Sequence, residues 1–320
     1  MIGVIGSGSW ATAIVKILLE EGSRRVNWWV RRKEVQQCLA STGRNPSHLH
    51  QMTLDHTRLS VSTDLSNVVA ASDLLIVSVP SIYVASVLGS IPCSAYKGKR
   101  MASAVKGFVP QQKASVSEYL KNELAVPEEN ICVVSGPSHA EEVAASQPTF
   151  LNVASSNPLL ANEMADLLRC SYIHPLVSGD VQNIELCGLA KNVYAVAAGI
   201  ATGLGYGDNL VAVLTAAAAR ELKALMRGDS EPAFMLSDLT VTCFSRHSRN
   251  RSLGVAVAKG TAPEEHLAST GMVAEGYYSA DIMHSLPKRC DTPIADAVYR
   301  VLYTGAEPQK EIDQLITTCF

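Results

Sequence analysis

Residues 1–18 read MIGVIGSGSWATAIVKIL: an apolar run, a turn almost bare of side chains, and a second apolar run of helical period. Gly6, Gly8 and Ala11 make G-x-G-x-x-A where a strand hands over to a helix. The first glycine lets the chain turn tightly and the second lets backbone approach a pyrophosphate. A small third residue lets the helix pack on the strand. N–H groups at the helix start, from Ser9 and Trp10, then point at phosphate oxygens. Gly6, Gly8, Ser9 and Trp10 are therefore candidate cofactor contacts. The alternative reading is a glycine-rich turn in an unliganded α/β protein.

The end of the next strand bears on which nucleotide is bound. An NAD site usually carries Asp or Glu there for the ribose 2′-hydroxyl. Here Val30 is followed by Arg31 and Arg32. Two guanidiniums suit a 2′-phosphate, which favours NADP(H) and leaves NAD(H) possible. The pair also fits a solvated helix start.

Working outward, short apolar and β-branched runs alternate with amphipathic ones. Strands are expected at 1–6, 25–30, 58–63, 73–80, 99–106, 130–136, 149–155 and 171–177. Helical patterns lie between several of them, such as SWATAIVKILLEE and QKASVSEYLKNEL. Such alternation means βαβ units and a largely parallel sheet. The runs at 73–80 and 130–136 are apolar on both faces, as buried central strands are. Strand signals stop near residue 180. After it come DVQNIELCGLAKNVYAVAAGIATGL and DNLVAVLTAAAARELKALM, the latter opened by an Asp/Asn cap, then further helical patterns. The expected fold is α/β: a Rossmann-like, largely parallel sheet domain over 1–179 and an all-helical domain over 180–320.

Composition narrows the function. At 320 residues two domains are expected. A net charge of −3 argues against a nucleic-acid partner. The longest apolar stretch, 193–205, is too short to span a bilayer, so no stable membrane insertion is expected. Residues 1–6 read as a strand with no basic segment before them, unlike a signal peptide. The cysteines, Cys38, Cys93, Cys132, Cys170, Cys187, Cys243, Cys290 and Cys319, form no CxxC pair. They read as reduced, buried residues of a cytoplasmic protein, with no metal site.

Other stretches are more specific. AVKG (104–107), SGPSHAEEV (135–143), LAKNVYAVAAGIATGLGYGDN (189–209), SDLTVTC (237–243), SRNR (248–251) and AEGYY (274–278) stand in order across both halves. With GSGSWATAI and NPSHL (45–49), they resemble the bacterial NAD(P)-dependent glycerol-3-phosphate dehydrogenases over nearly the whole chain. The resemblance implies reversible hydride transfer between sn-glycerol 3-phosphate and dihydroxyacetone phosphate, supplying glycerophospholipid synthesis, usually by a homodimer.

It also implies roles. Lys191 is the general base, with Lys106 and Asp238 beside the reacting centre. Gly136, Ser138, Asn192, Thr242, Ser248, Arg249 and Asn250 join these three in contacting substrate. Lys106, Ala140, Arg249, Val273 and Glu275 join the glycine turn and the arginine pair in contacting cofactor. Physical sense accompanies several of these. A lysine among apolar neighbours loses hydration, which suits it to accept a proton. Lys106 is expected to end a strand at the carboxyl edge of the sheet, the ligand side. Asp238 and Thr242, four apart, share a helix face. Arg249 offers a fork and Asn250 an amide for phosphate oxygens. Read without the resemblance, Lys191 is a snorkelling lysine, Asp238 an N-cap, and Thr242 and Val273 packing residues.

Three positions depart from the family pattern. His139 stands where an aromatic or small polar residue is common, and reads as a packed histidine or a second acid/base group. Val211 and Ala217 replace two cations, one after GDN and one in the helix that follows. Arg220, one turn beyond Ala217, is expected to compensate, and Lys223 is a weaker candidate. Two rival readings remain: a β-hydroxyacid or ketopantoate-type reductase, which does not need SRNR, and a non-catalytic NADP-binding sensor, which does not need Lys106, Lys191 and Asp238 together.

Overall fold

The computed structural model describes residues 1–228, 233–287 and 290–318. Cys319 lies outside the described residues. The chain forms two compact units, one of residues 1–105 and 114–181, the other of 106–113 and 182–320.

The first unit holds strands β1 (Ile2–Ile5), β2 (Val26–Trp29), β3 (Leu59–Ser62), β4 (Leu74–Val77), β5 (Arg100–Ser103), β6 (Ile131–Ser135), β7 (Thr149–Ala154) and β8 (Ile173–Ser178). Each of the eight expected strands is present. Its helices are α1 (Ser9–Leu19), α2 (Lys33–Thr42), α3 (Leu65–Ala70), α4 (Ser81–Leu88), α5 (Val116–Asn122), α6 (Ala140–Ala144) and α7 (Pro158–Leu168). The sheet order is β3-β2-β1-β4-β5-β6-β7-β8. All neighbours are parallel except β6 and β7. The order reverses between β1 and β4, so the crevice beyond their carboxyl ends is the place where such sheets bind ligands. Central β4 and β6 are buried along their whole length, which explains their continuous apolar runs. The core beneath α1 gathers Val4, Ile14, Leu18, Trp28, Ile76 and Val134.

The second unit holds α8 (Val181–Gly203), α9 (Asp208–Leu225), α10 (Met235–Phe244), α11 (Arg249–Ala258), α12 (Pro263–Thr270), α13 (Glu275–Ser285), α14 (Pro293–Tyr299) and α15 (Pro308–Thr318). α8 is apolar on every side because other helices surround it. By length and composition it is apolar enough to cross a membrane, longer than the stretch at 193–205 suggested, and 94% of its most apolar window is buried within the structure.

Some local expectations change. β5 ends at Ser103, so Lys106 lies three residues beyond it, in a loop. That loop belongs with the helical unit because Phe108 is buried in its core, worth about 2 kcal/mol for such a side chain. The cap residue of α9 is Gly207, with extended backbone and no side-chain cap. Asp208 sits inside the first turn, where its charge favours the helix dipole without capping. Among the described cysteines, all free, Cys132, Cys187 and Cys243 are buried. Cys38, in the middle of α2, and Cys170 and Cys290, in loops, are half-buried, and Cys93, opening a short 3-10 turn, is exposed.

Candidate active site

In the first unit the candidate site is built at the carboxyl end of β1. Gly6 has φ +128°, and a Cβ there would lie 2.2 Å from the carbonyl oxygen of Ser78. Only glycine fits that turn. Trp28, fully buried on β2, fixes it from below by donating from Nε1 to the Gly6 carbonyl at 2.6 Å. Gly8 is different: it precedes α1 with ordinary extended backbone, and a Cβ there would meet nothing within 4 Å. The space beside Gly8 is open, and the first N–H groups of an α-helix point out of its start. An anion fits there, and the pyrophosphate of a dinucleotide is such an anion. Ala11 is fully buried, as helix-on-sheet packing requires.

Residues 45–48 support the turn. Asn45, buried, donates to the Ser7 carbonyl at 3.0 Å and to Thr12 Oγ1 at 2.8 Å. Thr12 in turn donates to the Gly8 carbonyl at 2.9 Å. The Ser9 hydroxyl and His48 Nδ1 share a hydrogen bond of 3.2 Å. Asn45 and Thr12 carry no signal in the sequence beyond the NPSHL motif and a helical threonine. The bonds of Asn45 span 38 and 33 residues.

Arg31 and Arg32 are exposed just past β2, beside the end of β1. Arg32 occupies the cap position of α2 and donates to the Ser47 hydroxyl. At the end of β6, Gly136 has φ +118° and accepts from the Ser138 hydroxyl at 2.9 Å. Both are buried. Ala140, first residue of α6, is packed in the core. His139 is half-buried at the cap position of α6 without making a side-chain cap.

In the second unit Lys191 on α8 donates from Nζ to Oδ2 of Asp238 on α10, and both residues are buried. Asp238 is therefore an ion-pair partner inside α10, not its cap; that position belongs to Phe234. Thr242, one turn on, donates to the Asp238 carbonyl at 2.6 Å. Asn192 has both amide hydrogens in use, toward the Lys106 carbonyl at 2.6 Å and the Gly188 carbonyl at 2.8 Å. Its oxygen accepts from Asn250 Nδ2 at 2.8 Å. Asn250 Oδ1 accepts the Gly276 N–H at 2.9 Å. Ser248 caps α11 by accepting from the Arg251 N–H at 3.2 Å, and leaves Arg249, the first residue of that helix, exposed. Val273 and Glu275 are half-buried at the start of α13.

This second unit thus brings together two bonded groups, Lys191 with Asp238 and Thr242, and Lys106 with Asn192 and Asn250, which adjoin where Lys191 and Asn192 follow one another on α8. Gly276 is a member of the second group that the sequence marked only as part of AEGYY. Arg220 joins neither. Val211 and Ala217 are buried in the core, whereas Arg220 and Lys223 are exposed. A turn of about 60° around the helix carries Arg220 off the buried face, and the residue that continues that face is Glu221. Burial pushes the Glu221 carboxyl up to about 7, against opposing hydrogen bonds from the N–H groups of Ile294 and Ala295.

Comparison with known proteins is consistent along the chain. The family models for the N-terminus and C-terminus of NAD-dependent glycerol-3-phosphate dehydrogenase match residues 1–161 and 180–313. The chain is 37% identical to glycerol-3-phosphate dehydrogenase (NAD(P)+) 2 of Salinibacter ruber, over 99% of this chain and 94% of that one. It is 33% identical to the corresponding enzyme of Chlorobium limicola, over 99% and 97%. The crystal structure of glycerol-3-phosphate dehydrogenase from Coxiella burnetii superposes with a TM-score of 0.89 at 28% identity, covering 98% of both chains. With both halves matched in order and the architecture shared, the chain belongs to the NAD-dependent glycerol-3-phosphate dehydrogenase family.

Proposed function

We propose that this protein interconverts dihydroxyacetone phosphate and sn-glycerol 3-phosphate, using NADP(H) by preference and NAD(H) as well. The observation that carries the reading is the buried Lys191–Asp238 pair, in a chain whose two halves both match the family. Residues 1–179, apart from the loop 106–113 that packs with the helical unit, form the dinucleotide-binding domain, and residues 180–320 with that loop form the substrate and catalytic domain.

Gly6, Gly8, Ser9 and Trp10 hold the pyrophosphate, and Arg31 and Arg32 meet a 2′-phosphate. Lys106, Ala140, Arg249, Val273 and Glu275 complete the cofactor contacts. When bound, the nicotinamide supplies or accepts the hydride. Lys191 moves the proton: it removes one from the C2 hydroxyl of glycerol 3-phosphate and returns one to the oxygen of dihydroxyacetone phosphate in the reverse direction. Asp238 keeps Nζ in place and provides its counter-charge. Asn192 spends its amide hydrogens on Lys106 and Gly188, so it holds the Lys106 backbone while its oxygen faces Asn250. Gly136, Ser138, Thr242, Ser248, Arg249 and Asn250 contact the substrate, with Arg249 as the phosphate's fixed cation. The product feeds glycerophospholipid synthesis in the cytoplasm, and the working form is a homodimer.

The test is a spectrophotometric screen of dihydroxyacetone phosphate and unphosphorylated ketones with NADPH and NADH. Oxidation of NADPH with dihydroxyacetone phosphate alone is expected. Turnover confined to unphosphorylated ketones overturns the reading.

A further inference from the structure

Three helices of the second unit meet almost backbone to backbone. A Cβ on Gly254 of α11 would lie 2.1 Å from the Val196 carbonyl oxygen of α8, and one on Gly199 of α8 would lie 2.1 Å from the Arg251 carbonyl oxygen of α11. A Cβ on Gly276 of α13 would lie 2.7 Å from the Asn192 carbonyl oxygen. The glycines leave no slack between α8, α11 and α13. At this junction the side chain of Asn250 is buried, and it bridges the other two helices. Its amide donates to Asn192 on α8 and its oxygen accepts from Gly276 on α13. The bonded path runs from the Lys106 carbonyl through Asn192 and Asn250 to the start of α13.

We propose that Asn250, beyond its contact with the substrate, couples binding of the dinucleotide to binding of the phosphorylated substrate through the path from Gly276 to Asn192. A nucleotide that orders Val273 and Glu275 fixes the first turn of α13. The Gly276 N–H then sets the Asn250 side chain, and Asn250 sets the orientation of Asn192 beside Lys191. Reciprocity requires that substrate ordering Lys106 and Asn192 tighten the nucleotide by the same factor. The inference rests on the proposed roles of Val273 and Glu275 toward the cofactor.

Equilibrium titration of NADPH fluorescence, with and without saturating glycerol 3-phosphate, reads the coupling in a complex that cannot turn over. In the native enzyme NADPH should bind at least about fivefold tighter with glycerol 3-phosphate present. Asn250→Asp keeps the acceptor for Gly276 and loses the donor to Asn192, while Asn250→Ser breaks both bonds without adding charge. In each, the enhancement should fall below about twofold, whatever happens to the separate affinities. Thermal melts identify any variant that fails to fold, and Asn192→Asp then cuts the same path at the Lys106 carbonyl. Native-sized enhancement in a folded variant, or none in the native enzyme, overturns the proposal and leaves the cofactor reading standing. NADPH affinity unchanged in Glu275→Gln and Val273→Ser overturns both.

Discussion

Lys191 and Asp238, 47 residues apart on α8 and α10, form an ion pair with 3% and 5% of their surfaces exposed. A buried charge without its partner costs several kcal/mol, so each residue makes the other tolerable. Lys191→Ala should lower turnover by about two to four orders of magnitude, the range for a lost acid/base group. NADPH binding should persist. Steady-state kinetics with a parallel fluorescence titration checks both, and near-native turnover sinks the assignment.

Asp238→Asn separates structure from chemistry. It leaves an ammonium buried without counter-charge and should lower stability by about 3–5 kcal/mol in denaturant melts. Adding Lys191→Met should recover most of that loss, because a neutral pair of similar volume suits the site, while activity stays absent. A double variant no more stable than Asp238→Asn shows that the two residues are not coupled.

At the nucleotide end, Arg31 and Arg32 are exposed, with Arg32 tied to Ser47. Replacing both with glutamine should weaken NADPH by about tenfold or more, the scale of charge-assisted hydrogen bonds to a phosphate, and leave NADH nearly unchanged. Equal losses for the two nucleotides indicate that the pair shapes the loop at 45–48 instead.

Most strands were legible because they are short apolar, β-branched runs closed by turn residues, and the glycine turn because its spacing has a steric cause at Gly6. What stayed hidden depends on distant partners. The reversal between β6 and β7 follows from a connection through the short α6, which no strand pattern encodes. Lys106 leaves its strand because Phe108 is drawn into the helical unit. Asn192, Asn250 and Gly276 are separated by 58 and 26 residues and look like ordinary helical positions. Glu221, within AARELKAL, reads as one more solvated glutamate until α14 closes over it.

Glu221 gives a pH dependence of stability. Its carboxyl titrates near 7 in the folded protein against an ordinary 4.5, chiefly through burial. A raised value means that the folded state holds the proton longer than the unfolded one. The contribution is fully present below about 4.5 and is lost as pH rises through 7. The gap is worth about 3 kcal/mol at 1.36 kcal/mol per unit. Glu221→Gln, which keeps an acceptor for one of the two N–H groups of Ile294 and Ala295, should flatten the melting temperature between pH 5 and 8 relative to the native protein. Parallel curves for the two proteins exclude Glu221 as the source.

The substrate's phosphate sets the last expectation. A dianion leaving water needs fixed positive charge, since its desolvation is costly unless paired. α9 provides none on its inner face: Val211 and Ala217 are apolar and buried, and the next residue on that face is Glu221. Arg220 is exposed, so truncating it should change KM for dihydroxyacetone phosphate by less than about twofold. Arg249 is placed differently. It opens α11, where Ser248 caps the helix and the first-turn N–H groups add their own attraction for an anion. Arg249→Ala should raise KM for dihydroxyacetone phosphate about tenfold or more, with a smaller fall in turnover, because a phosphate contact is made alike in ground and transition states. Arg249→Lys keeps the charge but loses the bidentate fork, and should fall between the two. If Arg220→Ala carries the large effect and Arg249→Ala the small one, α9 reaches the phosphate after all and the assignment of Arg249 fails.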